Sequence, residues 1–277
     1  MKLLVISDIH QRVSVANNIM LADEANVDKV VFLGDYFDAW DETEQDIRLT
    51  AEWVAANVKD EKNVFLLGNH DLSYAFPQNR ATICSGYAIE KLEIIRDTVK
   101  DSDWARMKVS YQEGDILFSH AGVTANLVPV GANFSEWLQK NTTHALKQLT
   151  IGLGDNSPLL YAGWSRGGGV PYGGIFWEDY SSHIPVVGIK QIFGHTILKE
   201  PYYRIRKLET PSTVAFSEAA IIEDEFKMLV RDMQLHQYQW SLCMDTNLKH
   251  YLIVDTDERT LTFKSTETWT TLYVQKY

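Results

Sequence analysis

Five short apolar runs in this chain end in side chains that bind metals. Leu3–Ser7 leads into Asp8 and His10, Lys29–Leu33 into Gly34-Asp35, and Asn63–Leu67 into Gly68-Asn69-His70-Asp71. Farther on, Ile116–Ser119 leads into His120, and Val186–Phe193 into Gly194-His195. Runs this short and this rich in Val, Ile, Leu and Phe read as strands buried on both faces. Between the first three lie Ser14–Asn26 and Glu42–Val58, whose apolar residues recur at helical spacing and predict crossover helices. Strand, helix, strand in this order gives an α/β chain with a parallel layer. In such sheets ligands bind outside the carboxyl ends of the strands, so five ends of this kind should deliver their side chains to one rim.

The rest of the pattern is mixed. Met107–Tyr111 and Ile116–Ser119 flank a turn-rich tetrapeptide and read as a hairpin, as do Tyr251–Asp255 and Leu261–Lys264, while Tyr202–Lys207 is a further strand. Ala132–Leu149 reads as a helix, and Ser217–Met233 as a helix by its apolar stripe. Two mixed sheets packed face to face, with helices outside, accommodate this order. One domain over 1–277 is expected, with a glycine-rich active-site loop at about 152–185 that contains Gly167-Gly168-Gly169, and an unassigned elaboration at about 206–245.

Composition narrows the function classes. With 26 Lys and Arg against 37 Asp and Glu the net charge is −11, which argues against extended nucleic-acid binding or attachment to an anionic membrane. No apolar stretch approaches a membrane span or a signal-peptide core, and the two cysteines, Cys84 and Cys243, lie far apart. They read as buried, inert thiols in a soluble, cytoplasmic protein.

The ligand inventory is chemically specific. Carboxylates, an amide oxygen and three imidazoles suit Mn, Fe or Zn, whereas oxygen-only sets select Mg or Ca. A glycine before Asp35, Asn69 and His195 lets backbone approach a crowded centre.

These motifs resemble those of the calcineurin-like metallophosphoesterase superfamily, and within it the branch of phosphoprotein phosphatases and dinucleoside tetraphosphatases. The resemblance rests on Asp8-x-His10, Gly34-Asp35-Tyr36-Phe37-Asp38, Gly68-Asn69-His70-Asp71, His120-Ala121-Gly122 and Gly194-His195-Thr196. It implies a four-layer α/β/β/α sandwich with two divalent transition ions, manganese first and iron or zinc next. Asp8 and His10 would hold the first ion, Asn69, His120 and His195 the second, and Asp35 both. A metal-bridging hydroxide would attack phosphorus, with His70 and Asp71 protonating the leaving group. Where many distant members have a further histidine after Gly-His, this chain has Ile197, which leaves the first ion with three protein ligands. Where phosphoprotein-directed relatives place an arginine, it has Ala39-Trp40. Arg12 and Arg166 are the candidate replacements for phosphate binding, and Trp40, Trp164, Trp177 and Tyr36 are candidate rim aromatics for a nucleobase.

The expected function is therefore a phosphoester hydrolase. A serine/threonine-type phosphatase or small phosphomonoesterase comes first, and a dinucleoside polyphosphate or cyclic-nucleotide phosphodiesterase second. A metal-stabilised binding scaffold without catalysis is the remote alternative. The partner in each catalytic case is a phosphoester substrate: phosphoprotein, small phosphomonoester or nucleotide.

Overall fold

The structure, a computed structural model, describes residues 1–152, 157–207 and 238–277. The segment Ser217–Met233, expected to be helical, lies outside the described residues. The first half alternates strand and helix: β1 (Lys2–Ile6), α1 (Val13–Asp23), β2 (Lys29–Phe32), α2 (Glu44–Asn57), β3 (Asn63–Phe65), α3 (Asn69–Ala75), α4 (Ile89–Thr98) and α5 (Asp101–Trp104). Then come β4 (Ser110–Glu113), β5 (Ile116–Ser119), α6 (Phe134–Thr150), β6 (Lys190–Phe193), β7 (Tyr202–Lys207), β8 (Tyr238–Cys243), β9 (His250–Asp255), β10 (Thr260–Ser265) and β11 (Thr271–Lys276).

These strands make two mixed sheets, in the orders β11-β10-β9-β1-β2-β3 and β4-β5-β6-β8-β7. The centre of each is parallel: β1 with β2 and β2 with β3 in one sheet, β5 with β6 and β6 with β8 in the other. The alternation of side chains along β1 explains its unbroken apolar run. Leu3 and Val5 join Val31, Ile116, Phe118, Ile192, Trp240 and Leu242 in a cluster between the sheets. Leu4 and Ile6 join Phe32 and the inner faces of α1 and α2, with Ala16, Ile19, Ala51 and Val54, on the outside. All four β1 residues are fully buried, and each contributes about 1.5–3 kcal/mol of burial free energy. The two sheets are thus flanked by helices, as expected. Among the described residues no helix is long and apolar enough to cross a membrane.

Several element boundaries differ from expectation. Strand β4 begins at Ser110 because Lys108 instead forms an isolated bridge with Leu66, just past the end of β3, and the β4–β5 register leaves Gly114-Asp115 as the turn, Gly114 having φ +58. Strand β6 loses its first residues to a turn at Gly188, where φ is +87. Strands β8 and β11 were not expected at all. Strand β8 falls inside the segment left unassigned, yet it occupies an interior position of the second sheet.

Candidate metal centre and active site

Each of the five foreseen strand ends reaches the same rim. Asp8 and His10 follow β1, Asp35 follows β2, Asn69 opens α3 just after β3, His120 follows β5 and His195 follows β6. The approach is closer than any Cβ would permit: one added at Gly68 would lie 2.1 Å from Asp35 Oδ1, and one at Gly194 would lie 2.0 Å from Asp8 Oδ2. Three of the ligand candidates themselves sit in left-handed backbone, His10 at φ 40, Asp35 at φ 53 and His195 at φ 68. Such conformations cost about 1–3 kcal/mol each and persist where the surroundings over-determine them.

Two ligand sets share Asp35. One comprises Asp35, His120 and His195, the other Asp8, His10 and Asp35, the donor atoms of each lying within 4.8 Å of one another. His120 Nε2 lies 2.8 Å from Asn69 Oδ1, 3.1 Å from His195 Nδ1 and 3.3 Å from Asp35 Oδ2. Ligands about 2.1 Å from a common ion are separated by about 3.0–3.4 Å, so the distances from His120 Nε2 to His195 and Asp35 have the spacing of a coordination shell and the one to Asn69 is about 0.2 Å short of it. In the other set His10 Nε2 is 3.7 Å from Asp35 Oδ2. The opposite nitrogen of each ring is committed: His10 Nδ1 donates to the Phe37 carbonyl at 2.8 Å and His120 Nδ1 to the Leu33 carbonyl at 3.0 Å. That fixes tautomer and orientation and leaves Nε2 free to bind a metal.

The electrostatics point the same way. Burial opposes ionisation of Asp35, but His120, His70 and His10 hold it well below the usual carboxylate range. Burial also opposes protonation of His120, yet Asp35 and Asp8 raise it to about 9, while burial and His120 push His195 well below its ordinary value. Two imidazole nitrogens 3.1 Å apart cannot both carry protons. A cation between them removes that conflict, so the residues fit a transition-metal pair.

The pairing of His70 with Asp71 is corrected. His70 Nδ1 lies 3.0 Å from Asp38 Oδ2. Asp71 instead accepts backbone N–H groups, from Asp35 at 2.8 Å, Gly68 at 2.8 Å and Tyr36 at 3.0 Å. The reason is the onset of α3: adjacent residues on a helix diverge by about 100°, so His70 and Asp71 cannot face one another. Asp71 caps the helix and clamps the turn that carries Asp35. Asp38 is in turn held through Oδ1, which accepts from Tyr74 Oη at 2.5 Å and from Lys91 Nζ at 3.2 Å. Burial works against the His70 imidazolium, but Asp35 and the Asp38 hydrogen bond raise it to about 12. Cations on Asp35 would cancel its share and leave Asp38 as the lasting partner.

The cysteine expectation holds for one residue. Cys243 is buried, but Cys84 is only partly buried and lines the cleft, with Sγ 3.6 Å from His70 Nδ1.

The cleft has a volume of about 1170 Å³ and includes ligand candidates of both sets. Arg12 and Arg166 both border it, in different states. Arg12 is tied down by the Asn247 carbonyl at 2.7 Å and its side-chain oxygen at 3.1 Å. Arg166, in a 3-10 turn of the glycine-rich loop, contacts Thr196 Oγ1 at 3.0 Å and Asp179 at 2.9 Å, with a buried Nε that has no partner. Trp40 stands at the rim 94% exposed. Trp177 also lines the cleft, edge-on to His195 at 6.0 Å, whereas Trp164 is exposed away from it. Tyr36 is corrected: it is fully buried, its Oη donating to the Leu66 carbonyl at 2.9 Å, because it faces the helix side of the sheet.

Sequence reasoning missed Asp245. It follows β8, whose end is held beside β6 by the Met244 N–H donating to the Phe193 carbonyl at 2.7 Å. Asp245 is buried with Oδ2 unpartnered, and burial together with the charge of Asp8 raises it to about 7. It is thus the side chain delivered by the sixth parallel strand end. The available signal was Ser241-Leu242-Cys243-Met244-Asp245, an apolar run ending in a carboxylate like the other five.

Comparisons with known proteins identify the family and the fold. The family model for calcineurin-like phosphoesterases matches residues 1–200. The comparison with curated proteins found no match. Among solved structures, a cold-active protein tyrosine phosphatase superposes with a TM-score of 0.57 at 13% identity, over 99% of this chain and 79% of that one. The cold-active enzyme of a psychrophilic Shewanella gives a TM-score of 0.55 at 12% identity, over 98% and 80%. At this identity the likeness is one of fold.

Proposed function

The chain belongs to the calcineurin-like phosphoesterase family and is a phosphoester hydrolase; from that premise we propose that it cleaves phosphomonoesters, of phosphoprotein or small-molecule kind, at a two-cation centre held by Asp8, His10, Asp35, Asn69, His120 and His195. The observation that carries this is the sharing of Asp35 between two ligand sets. Two divalent ions, manganese by preference for a mixed nitrogen and oxygen shell, would supply Lewis acidity and an activated water nucleophile when bound.

The chain's own groups do the rest. Asp71 fixes the turn of Asp35, so that the shared carboxylate is set before any ion arrives. Asp38 holds the His70 ring through Nδ1 and stabilises its imidazolium, leaving Nε2–H to protonate the departing oxygen. Arg166 presents a guanidinium with an unsatisfied buried N–H at the cleft, suited to the non-bridging oxygens of a phosphoryl group. Arg12 is a poorer candidate because all three of its guanidinium nitrogens have partners, Ile9 and Asn247, whereas in Arg166 Thr196 and Asp179 engage one nitrogen and Nε has none. The same fold serves a protein tyrosine phosphatase, which favours the monoester reading.

A second reading, cleavage of a dinucleoside polyphosphate or cyclic nucleotide, is favoured by one feature. The exposed Trp40 ring stands at the rim of a cleft larger than a phosphomonoester needs, and base stacking there would contribute about 1–3 kcal/mol. A substrate panel decides between them: phosphopeptide, p-nitrophenyl phosphate, bis-p-nitrophenyl phosphate, diadenosine tetraphosphate and 2′,3′-cyclic nucleotide, compared at equal manganese. A kcat/KM highest for the diesters or the tetraphosphate would overturn the monoester assignment.

A further inference from the structure

A third set of metal-ligand atoms lies in the same cleft, and it joins the His70–Asp38 pair to a residue that has no part in the chemistry above, Cys84. Asp38 Oδ2, His70 Nδ1 and Cys84 Sγ all fall within 4.8 Å of one another, with Nδ1 to Oδ2 at 3.0 Å and Nδ1 to Sγ at 3.6 Å. Tetrahedral zinc, with bonds of about 2.0–2.1 Å to nitrogen or oxygen and 2.3 Å to sulfur, sets its ligands about 3.3–3.6 Å apart. The His70 to Cys84 separation already has that value. The His70 to Asp38 separation needs to open by a few tenths of an ångström.

The set is also preorganised and accessible. Tyr74 and Lys91 hold Asp38 through Oδ1 and leave Oδ2 turned toward His70. Cys84 is only partly buried, and Asp38, His70 and Cys84 all line the cleft, so an ion can enter and a water can complete the shell. The thiolate makes this set softer than the other two, which contain no sulfur.

We propose that Asp38, His70 and Cys84 form a third cation site, for a thiophilic divalent ion such as zinc, whose occupation prevents His70 from donating a proton. An ion seated there takes the Nδ1 lone pair and the Cys84 thiolate, so the Cys84 thiol proton is released and any proton on Nδ1 is displaced with it. Two negative ligands then neutralise the ion's charge, and the ring stays bound as neutral imidazole, a far weaker acid than imidazolium. Manganese and magnesium, which avoid thiolate, would leave the site alone, so the enzyme could be active in manganese and arrested by a small excess of zinc. The binding stands on the geometry alone, whereas the arrest rests on the general-acid reading of His70.

Cobalt separates the two. A thiolate bound to cobalt gives a near-ultraviolet charge-transfer band that nitrogen and oxygen ligands do not. The band should develop when the wild-type protein is titrated with cobalt and be absent from Cys84→Ser. At saturating zinc the wild-type chain should carry three ions and Cys84→Ser two. In manganese-loaded protein, excess zinc should inhibit alkyl phosphate hydrolysis at least tenfold in wild type and less than twofold in Cys84→Ser. No band, with two ions in both proteins, overturns the site. A band and three ions without inhibition support the site and overturn the arrest, and with it the acid role of His70. Equal inhibition of both proteins likewise overturns the arrest, since zinc would then be acting at the other two sites.

Discussion

Replacing Asp38 by asparagine keeps the shape of the side chain and removes the charge that faces His70. The contact is a buried 3.0 Å hydrogen bond from imidazole to carboxylate. Bonds to charged groups contribute about 1.5–3 kcal/mol, and 1.36 kcal/mol is one pKa unit, so Asp38→Asn should lower the His70 pKa by about 1–2 units. An acid catalyst must be protonated, so activity falls as pH rises through its pKa, and the variant's alkaline limb should move down by that amount. The effect must also depend on the leaving group. A nitrophenolate, whose conjugate acid has a pKa of roughly 7, leaves without help, while an alkoxide of pKa about 14–16 needs the proton. At pH above the His70 pKa, hydrolysis of a seryl or alkyl phosphate should therefore fall about 10–100-fold and that of p-nitrophenyl phosphate by less than about threefold, while well below it the two proteins should converge. The assay is kcat for both substrates across pH, with metal content measured on the same samples. Asp71→Asn is the control: it should lower thermal stability and metal retention, through the lost amide bonds to the Asp35 turn, without leaving-group selectivity. Equal losses on both substrates in Asp38→Asn with both ions bound, or selectivity found in Asp71→Asn instead, would refute the pairing.

Asp35→Asn should weaken both ions and Asn69→Ala mainly one, as read by metal analysis after dialysis against a weak chelator; Asp35→Asn retaining two ions at wild-type affinity would contradict the shared carboxylate. Arg166→Ala should raise KM or lower kcat more than tenfold, and Arg12→Ala much less; the reverse order would move the phosphate clamp to the N-terminal segment. His183 is buried with both ring nitrogens unpartnered, and burial lowers it to about 3. Its folded value lies below the unfolded one near 6.5, so stability is whole above pH 6.5 and falls as pH drops toward 3. His183→Phe should flatten that fall, a gain of about 2 kcal/mol relative to wild type at pH 5, visible as a changed slope of Tm against pH; an unchanged slope would refute it.

What the sequence determined by itself was local. The apolar runs of β1, β2 and β3 announced strands buried on both faces, because continuous burial needs no partner to be recognised. Asp8, His10, Asp35, Asn69, His120 and His195 could be named as candidate ligands because each follows such a run, and parallel strands carry their ends to one rim whatever the details of packing. Tertiary structure alone decided the pairings. His70 and Asp71 are neighbours in sequence, but the first turn of α3 rotates them apart and delivers His70 to Asp38, 32 positions earlier. Cys84 reads as any buried thiol until the chain after α3 lays it 3.6 Å from that same ring. Asp245 depends on β8 being inserted beside β6, a strand neighbour set by the sheet as a whole. The choice between Arg12 and Arg166 turns on which guanidinium Asn247 has already taken. Element type and ligand chemistry are properties of contiguous residues, whereas the contacts that bring Asp38 and Cys84 to His70 are made by chain segments that meet only in the folded molecule.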